Sequence, residues 1–227
     1  MSKDYLRRYT DIPALVSLLT ERKITLLDPA SWDDKNDSRF LELYQQKEKL
    51  HSVLALCFTQ ADETYHHWRV FANGTAGVCI RFDRAALIKA VKQVDHIRIG
   101  TVRYLTMTEM RDEKLEQRDL PFLKRYPFQD ENEFRLIYES CDEEVDHLDV
   151  PIPLSSVTRI TLSPWMPKVL SSNLKDLLHS IDGCSKLDIA RSTLIKNEEW
   201  YNRGKAATRG VKTLKATKVS ENKSQIV

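Results

Sequence analysis

Three short clusters hold the side chains of this chain best suited to chemistry. The first is Arg7-Arg8-Tyr9, followed by Thr10, on a strand-like stretch from Leu6 to Tyr9. An arginine fork there suits a phosphate or carboxylate, which it grips through paired N–H donors. Taken alone, an edge strand with a solvated arginine and one salt bridge is the plainer reading. The second is the acidic loop Asp33-Asp34-Lys35-Asn36-Asp37. Clustered carboxylates suit a hard cation, but the spacing and glycine of a calcium loop are missing. Helix capping and turn bonds are the default use of such residues. The third is Glu131, Glu133 and Arg135 around Phe134. Alternation along a strand puts these three ionisable groups on one face and Phe134 on the other. A strand carboxylate beside an arginine can act as a base or hold a substrate hydroxyl. Spacing alone leans towards an exposed sheet face with one ion pair.

Other chemistries lack support. His66 and His67 are adjacent, so they point apart on a helix or strand, and no Cys or His stands at zinc-ligand spacing from them. No metal is expected. Ser192-Thr193 has no elbow glycines and no evident base. The four cysteines, Cys57, Cys79, Cys141 and Cys184, lie far apart and read as small buried hydrophobes in a reducing compartment. No apolar run is long enough for a signal peptide or a membrane span, so the expected location is the cytoplasm, with no membrane partner.

A composition of 41% hydrophobic and 30% charged residues is that of a soluble globular protein. The formal charge of +2 hides an imbalance. From Arg203 to Val227 there are seven Lys/Arg against Glu221 alone, so the rest of the chain carries a formal −4. We read residues 1–202 as one domain and 203–227 as a basic, flexible tail. The tail is also able to contact nucleic acid or an acidic partner electrostatically.

The elements that must position the clusters follow from pattern and capping signals. A helix capped by Thr10 or Asp11, with Pro13 in its first turn, buries Leu15, Leu18 and Leu19. Short strands are expected at 24–27, 54–58, 78–82, 97–104, 133–139, 150–154, 157–162 and 187–190. Helices are expected at 39–50, 84–94 (capped by Asp83) and 167–181, and the charged stretch 106–124 is expected to hold an exposed helix ending near Pro121. Residues 28–38 read as a polar loop. Between two of the strands lies a segment with Trp68 and an Asn73-Gly74 turn signal. A tryptophan is costly surface to leave in water, so Trp68 is expected buried beside the candidate cleft. Irregular alternation of helices and strands, without a glycine-rich phosphate loop, predicts an α+β fold with a mixed, mainly antiparallel sheet and flanking helices.

Taken in order, these pieces resemble a bacterial family catalogued as domain of unknown function 2971. Leu26 to Asp34 (LLDPASWDD) resembles its proline-bearing loop, and Cys57-Phe58-Thr59 its CFS strand. Trp68, Phe71, Ala72, Gly77, Val78, Cys79, Ile80 and Phe82 follow its next segment. Phe128, Glu131, Glu133, Phe134, Arg135, Leu136 and Ile137 follow a later one, and Ser192 to Trp200 is similar to its end. Asp33, Lys35, Phe71 and Phe128 depart from the usual Asn, Pro, Tyr and Trp. The layout is also similar to that of ADP-ribosyltransferases: a basic residue on an early strand, an aromatic or hydroxyl motif on a middle one, a glutamate on a late one. That similarity implies NAD as substrate, with Arg7 or Arg8 on the diphosphate. Phe58-Thr59 with Trp68 would bind the nicotinamide through their aromatic rings, Arg135 would also bind the cofactor, and Glu133, with Glu131, would be catalytic. It further implies a bacterial toxin or phage-defence enzyme with a protein or nucleic-acid acceptor. The competing expectation is a non-catalytic ligand- or nucleic-acid-binding domain that uses the same cleft and the basic tail.

Overall fold

In the computed structural model, which describes residues 4–72 and 74–208, the first strand β1 (Tyr5–Asp11) runs directly into α1 (Ile12–Glu21). Asp11 caps that helix by accepting from the Ala14 N–H, with Pro13 in the first turn. Leu15, Leu18 and Leu19 bury its inner face, each contributing on the order of 2 kcal/mol. β2 (Lys23–Leu27) follows. The expected polar loop is shorter than its composition suggests: α2 (Lys35–Glu48) starts inside it, because Asp34 accepts from Asn36 N–H and acts as its N-cap. Asp28 likewise receives the Ala30 N–H, so these two carboxylates do capping work.

β3 (Ser52–Thr59) leads to α3 (Tyr65–Phe71), the helix that carries Trp68, and then to β4 (Gly77–Asp83). The turn signal read there falls partly on Asn73, outside the described residues. Asp83 caps α4 (Arg84–Val91) as expected. The stretch 97–104 divides: β5 (Ile97–Thr101) and β6 (Arg103–Leu105) belong to different sheets, with Val102 buried at the break. The charged stretch 106–124 is not one exposed helix. It holds a short α5 (Met107–Asp112), a 3-10 turn at Gln117–Phe122 and β7 (Leu123–Arg125). Thr106 closes a capping box with Glu109, yet Pro121 forbids a continuous helix. β8 (Glu133–Ser140), β9 (His147–Pro151), β10 (Val157–Leu162), α6 (Lys168–Ser180) and β11 (Ile189–Arg191) complete this unit.

The large sheet runs β11-β10-β4-β1-β3-β2-β9, with β8 beside β3 and β5 beside β8; β6 and β7 form a separate parallel pair. Of the large sheet's ladders, β10–β11 alone is parallel, which makes the fold α+β with a mixed, mainly antiparallel sheet. One face packs Leu6, Leu54, Leu56, Phe58, Ile80, Phe82, Phe134 and Leu136 against α1 and α4. The other is covered in two places. Leu41 and Tyr44 of α2 lie over Val53, Ala55 and Ile137, and Trp68 of α3 lies over Tyr9 and Cys79. The cysteines are all free thiols.

From Ile195 the described chain forms a separate unit. In it α7 (Glu198–Thr208) takes in Arg203 and Lys205, the first basic residues of the segment read as a tail, and pairs Arg203 with Glu199 at 3.6 Å. Residues 209–227 lie outside the described part. No described helix is long and apolar enough to cross a membrane.

Candidate functional site

The ladder between β1 and β3 holds at one pair, Arg7 opposite Thr59, and the two strands then part. A cavity of about 140 Å³ opens at this split. Arg7, Arg8 and Tyr9 line it from β1, Cys57, Phe58 and Thr59 from β3, and His67 and Phe71 from α3; Glu131 and Glu133 complete it. Five of the seven residues singled out from the sequence therefore share one concavity. Trp68 and Arg135 do not line it. Trp68 is fully buried behind Tyr9, with ring centroids 5.1 Å apart, and its indole donates to Glu63 at 2.7 Å. Ring surface in the cavity comes instead from Tyr9, Phe58, His67 and Phe71.

Arg8 spans the split. It is half-buried and its one hydrogen bond is a long one, from Nη1 to the Cys57 carbonyl at 3.4 Å. Among the described residues it forms no ion pair. Burial lowers its pKa from the ordinary value, against the opposite pull of Cys57 and Asp11. Arg7 is better satisfied, donating to the Ala61 carbonyl at 2.8 Å and pairing with exposed Asp62 at 2.7 Å.

The carboxylate side is a buried ionic cluster. Arg135, fully buried, donates to both oxygens of Asp37 at 2.8 and 2.5 Å and to Glu133 at 2.7 Å. Its remaining reach goes to the Pro121 carbonyl at 3.0 Å, and Trp32 lies across the guanidinium at 5.1 Å. Lys124 donates to Glu131 at 2.5 Å and to Glu133 at 3.1 Å, with Asp37 at 3.5 Å. Three carboxylates thus face two cations in a region shielded from water. Glu131 and Glu133 converge for a reason other than strand alternation. Glu131 ends a 3-10 turn, and Asn132, at φ 44°, reverses the backbone before β8 starts.

The two carboxyls are driven apart. Burial raises Glu131, the bond and charge of Glu133 raise it further, and its pKa reaches about 8 despite Lys124. Burial also works to raise Glu133, but Arg135 and Lys124 outweigh it and hold the group down at about 2. One carboxyl keeps its proton near neutral pH and the other stays ionised, the pattern of an acid/base pair. The cluster then holds two negative and two positive charges.

The proton on Glu131 has a consequence for stability. The folded chain retains it up to about pH 8, whereas the unfolded chain releases it near 4.5. More protons are bound when folded, so this group's contribution falls as pH rises through that window. Denaturant midpoints at pH 5 and pH 8 should show the decline, and Glu131→Gln should flatten it. An unchanged slope in the variant would mean that Glu131 is already ionised in the fold.

The other groups in the cavity are restrained. Burial raises the Cys57 thiol to about 12, with Glu133 adding to the effect, so it is no thiolate nucleophile at neutral pH. His67 has its pKa lowered by burial; it stacks on Tyr9 at 5.3 Å and contacts Thr64 at 2.5 Å and the Glu131 carbonyl at 3.3 Å. Thr59 donates to that same carbonyl at 2.6 Å. Among the described residues no group of three His, Cys, Asp or Glu could hold a metal ion. Sequence reasoning missed Asp37, taken for a turn residue, and Lys124, placed on a solvated face. The apolar neighbours Phe122 and Leu123 were the local sign that Lys124 turns inward.

No family model matches the chain, and no curated protein does either, so membership of the family named above is not shown. Among solved structures the chain is similar to DarT of Thermus sp. 2.9 in complex with NAD+, at 10% identity and a TM-score of 0.44 over 85% of this chain and 96% of that one. It is similar to the same protein in complex with ADP-ribosylated ssDNA, at 10% identity and a TM-score of 0.46 over 85% and 95%.

Proposed function

We propose that this protein uses NAD as a substrate, in the manner of an ADP-ribosyltransferase, at the split between β1 and β3. The observation that carries the reading is Arg8, a half-buried guanidinium without an ion pair, facing a carboxyl pair across one cavity. A cation left without an anion in a partly desolvated place is suited to a phosphate. The cavity, about 140 Å³, accommodates one ring-sized group, so a dinucleotide would seat its nicotinamide end there and extend outward past Arg8 and Arg7. Tyr9, Phe58 and Phe71 offer the ring faces for that end. Ionised Glu133 accepts from a ribose hydroxyl and stabilises positive charge developing at the sugar as nicotinamide leaves. Glu131, which keeps its proton, serves as a hydrogen-bond donor to the bound substrate, since nicotinamide leaves as a neutral base that needs no proton. Toxin or phage-defence biology, with a protein or nucleic-acid acceptor, fits such an activity.

The test is turnover of NAD by the full chain, with transfer of label to protein or nucleic acid as the second readout. Arg8→Gln should abolish both while changing the melting temperature little, since the arginine forms no ion pair among the described residues and its bond to the Cys57 carbonyl is long, at 3.4 Å. Failure of the wild-type chain to bind NAD in calorimetry would sink the proposal. One observation favours a second reading, a ligand-binding domain without catalysis: Glu133 is already paired with both Lys124 and Arg135. Saturable binding of NAD without turnover would identify it.

A further inference from the structure

Beside the split, and sharing Arg7 with it, lies a larger basin of about 370 Å³ with Arg7, Arg81, Arg159 and Arg191 in its wall. Three of these arginines form a row across the sheet. Arg7 of β1 stands directly opposite Arg81 of β4, and Arg81 directly opposite Arg159 of β10. Cross-strand neighbours on one face lie about 5 Å apart, where like charges destabilise the sheet. The third member reaches the row through an irregularity. β10 shifts register between Val157 and Arg159, and the inserted Thr158 turns Arg159 to face Arg81. Thr158 in turn accepts from Arg81 Nε at 3.0 Å and donates to the Arg81 carbonyl at 3.0 Å.

Compensation along the row is incomplete. Arg7 pairs with Asp62 at 2.7 Å and Arg159 with Asp188 at 3.1 Å. Arg81 lies over the Tyr5 ring at 4.3 Å, and Arg191 donates to the carbonyls of Met166 and Pro164. Among the described residues neither Arg81 nor Arg191 forms an ion pair. The one carboxylate in the wall, Glu63, is engaged by Trp68 Nε1 at 2.7 Å and Ser192 Oγ at 2.5 Å. The next rung of the sheet supplies the hydroxyl of Thr161, opposite Cys79.

The geometry points to a phosphate-binding basin, in which Arg81 and Arg159 grip the charged oxygens of a diphosphate or a phosphodiester strand and Thr161 donates beside them. It is distinct from the split and does not require NAD turnover. Partly buried guanidinium groups held in a row against their mutual repulsion are set to receive an anion. Such a ligand relieves the repulsion within the arginine row.

Calorimetry of the full chain with inorganic pyrophosphate, and separately with a short oligothymidylate, tests the basin. Pyrophosphate binding alone assigns a small diphosphate ligand. Oligothymidylate binding that weakens linearly in log–log salt plots assigns a nucleic-acid backbone. In either case Arg81→Gln should weaken binding about tenfold or more, the loss of one charge-assisted contact. The ligand-free variant should melt no lower than wild type, because one repelling charge is gone. Arg81→Gln should leave NAD binding at the split within about twofold, which separates the basin from the split. The proposal is overturned if neither probe binds, or if Arg81→Gln binds as wild type. It is equally overturned if Arg81→Gln loses binding together with a lower melting temperature that Arg159→Gln reproduces, for the row would then be a structural element.

Discussion

Replacing Arg135 with methionine should cost about 3–5 kcal/mol of stability, the range for removing one partner from a buried ion pair. For a chain of this size that is a fall in melting temperature on the order of 10 °C. Arg135 is fully buried and serves Asp37, Glu133 and the Pro121 carbonyl at once. Methionine restores volume but no donor. Asp37 and Glu133 would then share Lys124 with Glu131, and two charges are left for one cation. The loss should shrink in acid, because Glu133, no longer held down by Arg135, can take a proton in the folded variant. Urea unfolding at pH 5 and pH 8 reads both effects. A drop of only a degree or two at either pH would show that the cluster contributes little to the fold.

Glu133→Gln should behave differently, with loss of function outweighing loss of stability. Glutamine keeps the shape and still accepts a hydrogen bond from Arg135, but brings no charge. Without Glu133 the Glu131 carboxyl loses the neighbour that, after burial, raises its pKa most. It should release its proton near neutral pH and pair with Lys124 at its present 2.5 Å, which restores the balance of charge. NAD consumption should fall roughly 100-fold or more, the usual loss when a group that stabilises developing charge is removed. Turnover retained alongside a large fall in melting temperature would make Glu133 a structural strut and favour the binding-domain reading.

Much of the secondary structure was legible from local signals. Asp11 and Asp83 announce the helices they cap, and the apolar spacing of Leu15, Leu18 and Leu19 marks the buried face of α1. The stretch 106–124 was not, because a run of charges averages to a solvated helix and hides the one residue that turns inward. Lys124 is buried because Asp37 closes on it from a distant position, while Glu131 and Glu133 turn back onto it from just ahead in the chain. The part played by Asp37 lies outside any local window around Lys124. The site was partly legible for a similar reason. Arg7, Arg8, Thr59, Glu131 and Glu133 stood out by type, but the cavity they share depends on where β1 and β3 stop pairing. Trp68 was read correctly as buried, whereas the surface it was expected to offer a ligand belongs to its neighbours Tyr9, His67 and Phe71.

Seven residue pairs join β1 to β4 and eight join β3 to β8, while one joins β1 to β3. The β1–β3 join is therefore a compliant seam between stiffer parts, like two boards joined by one stitch, and β2 is joined to β3 as thinly, at Leu27 and Ala55. Beyond the one pair, amides along that seam have no ladder partners across it and are expected to exchange with solvent faster than those between β3 and β8. A ligand held by Arg8 on one side and Glu133 on the other becomes a second stitch. Its grip must first quieten the relative motion of the boards, so affinity at the seam depends on stiffness as well as on contact.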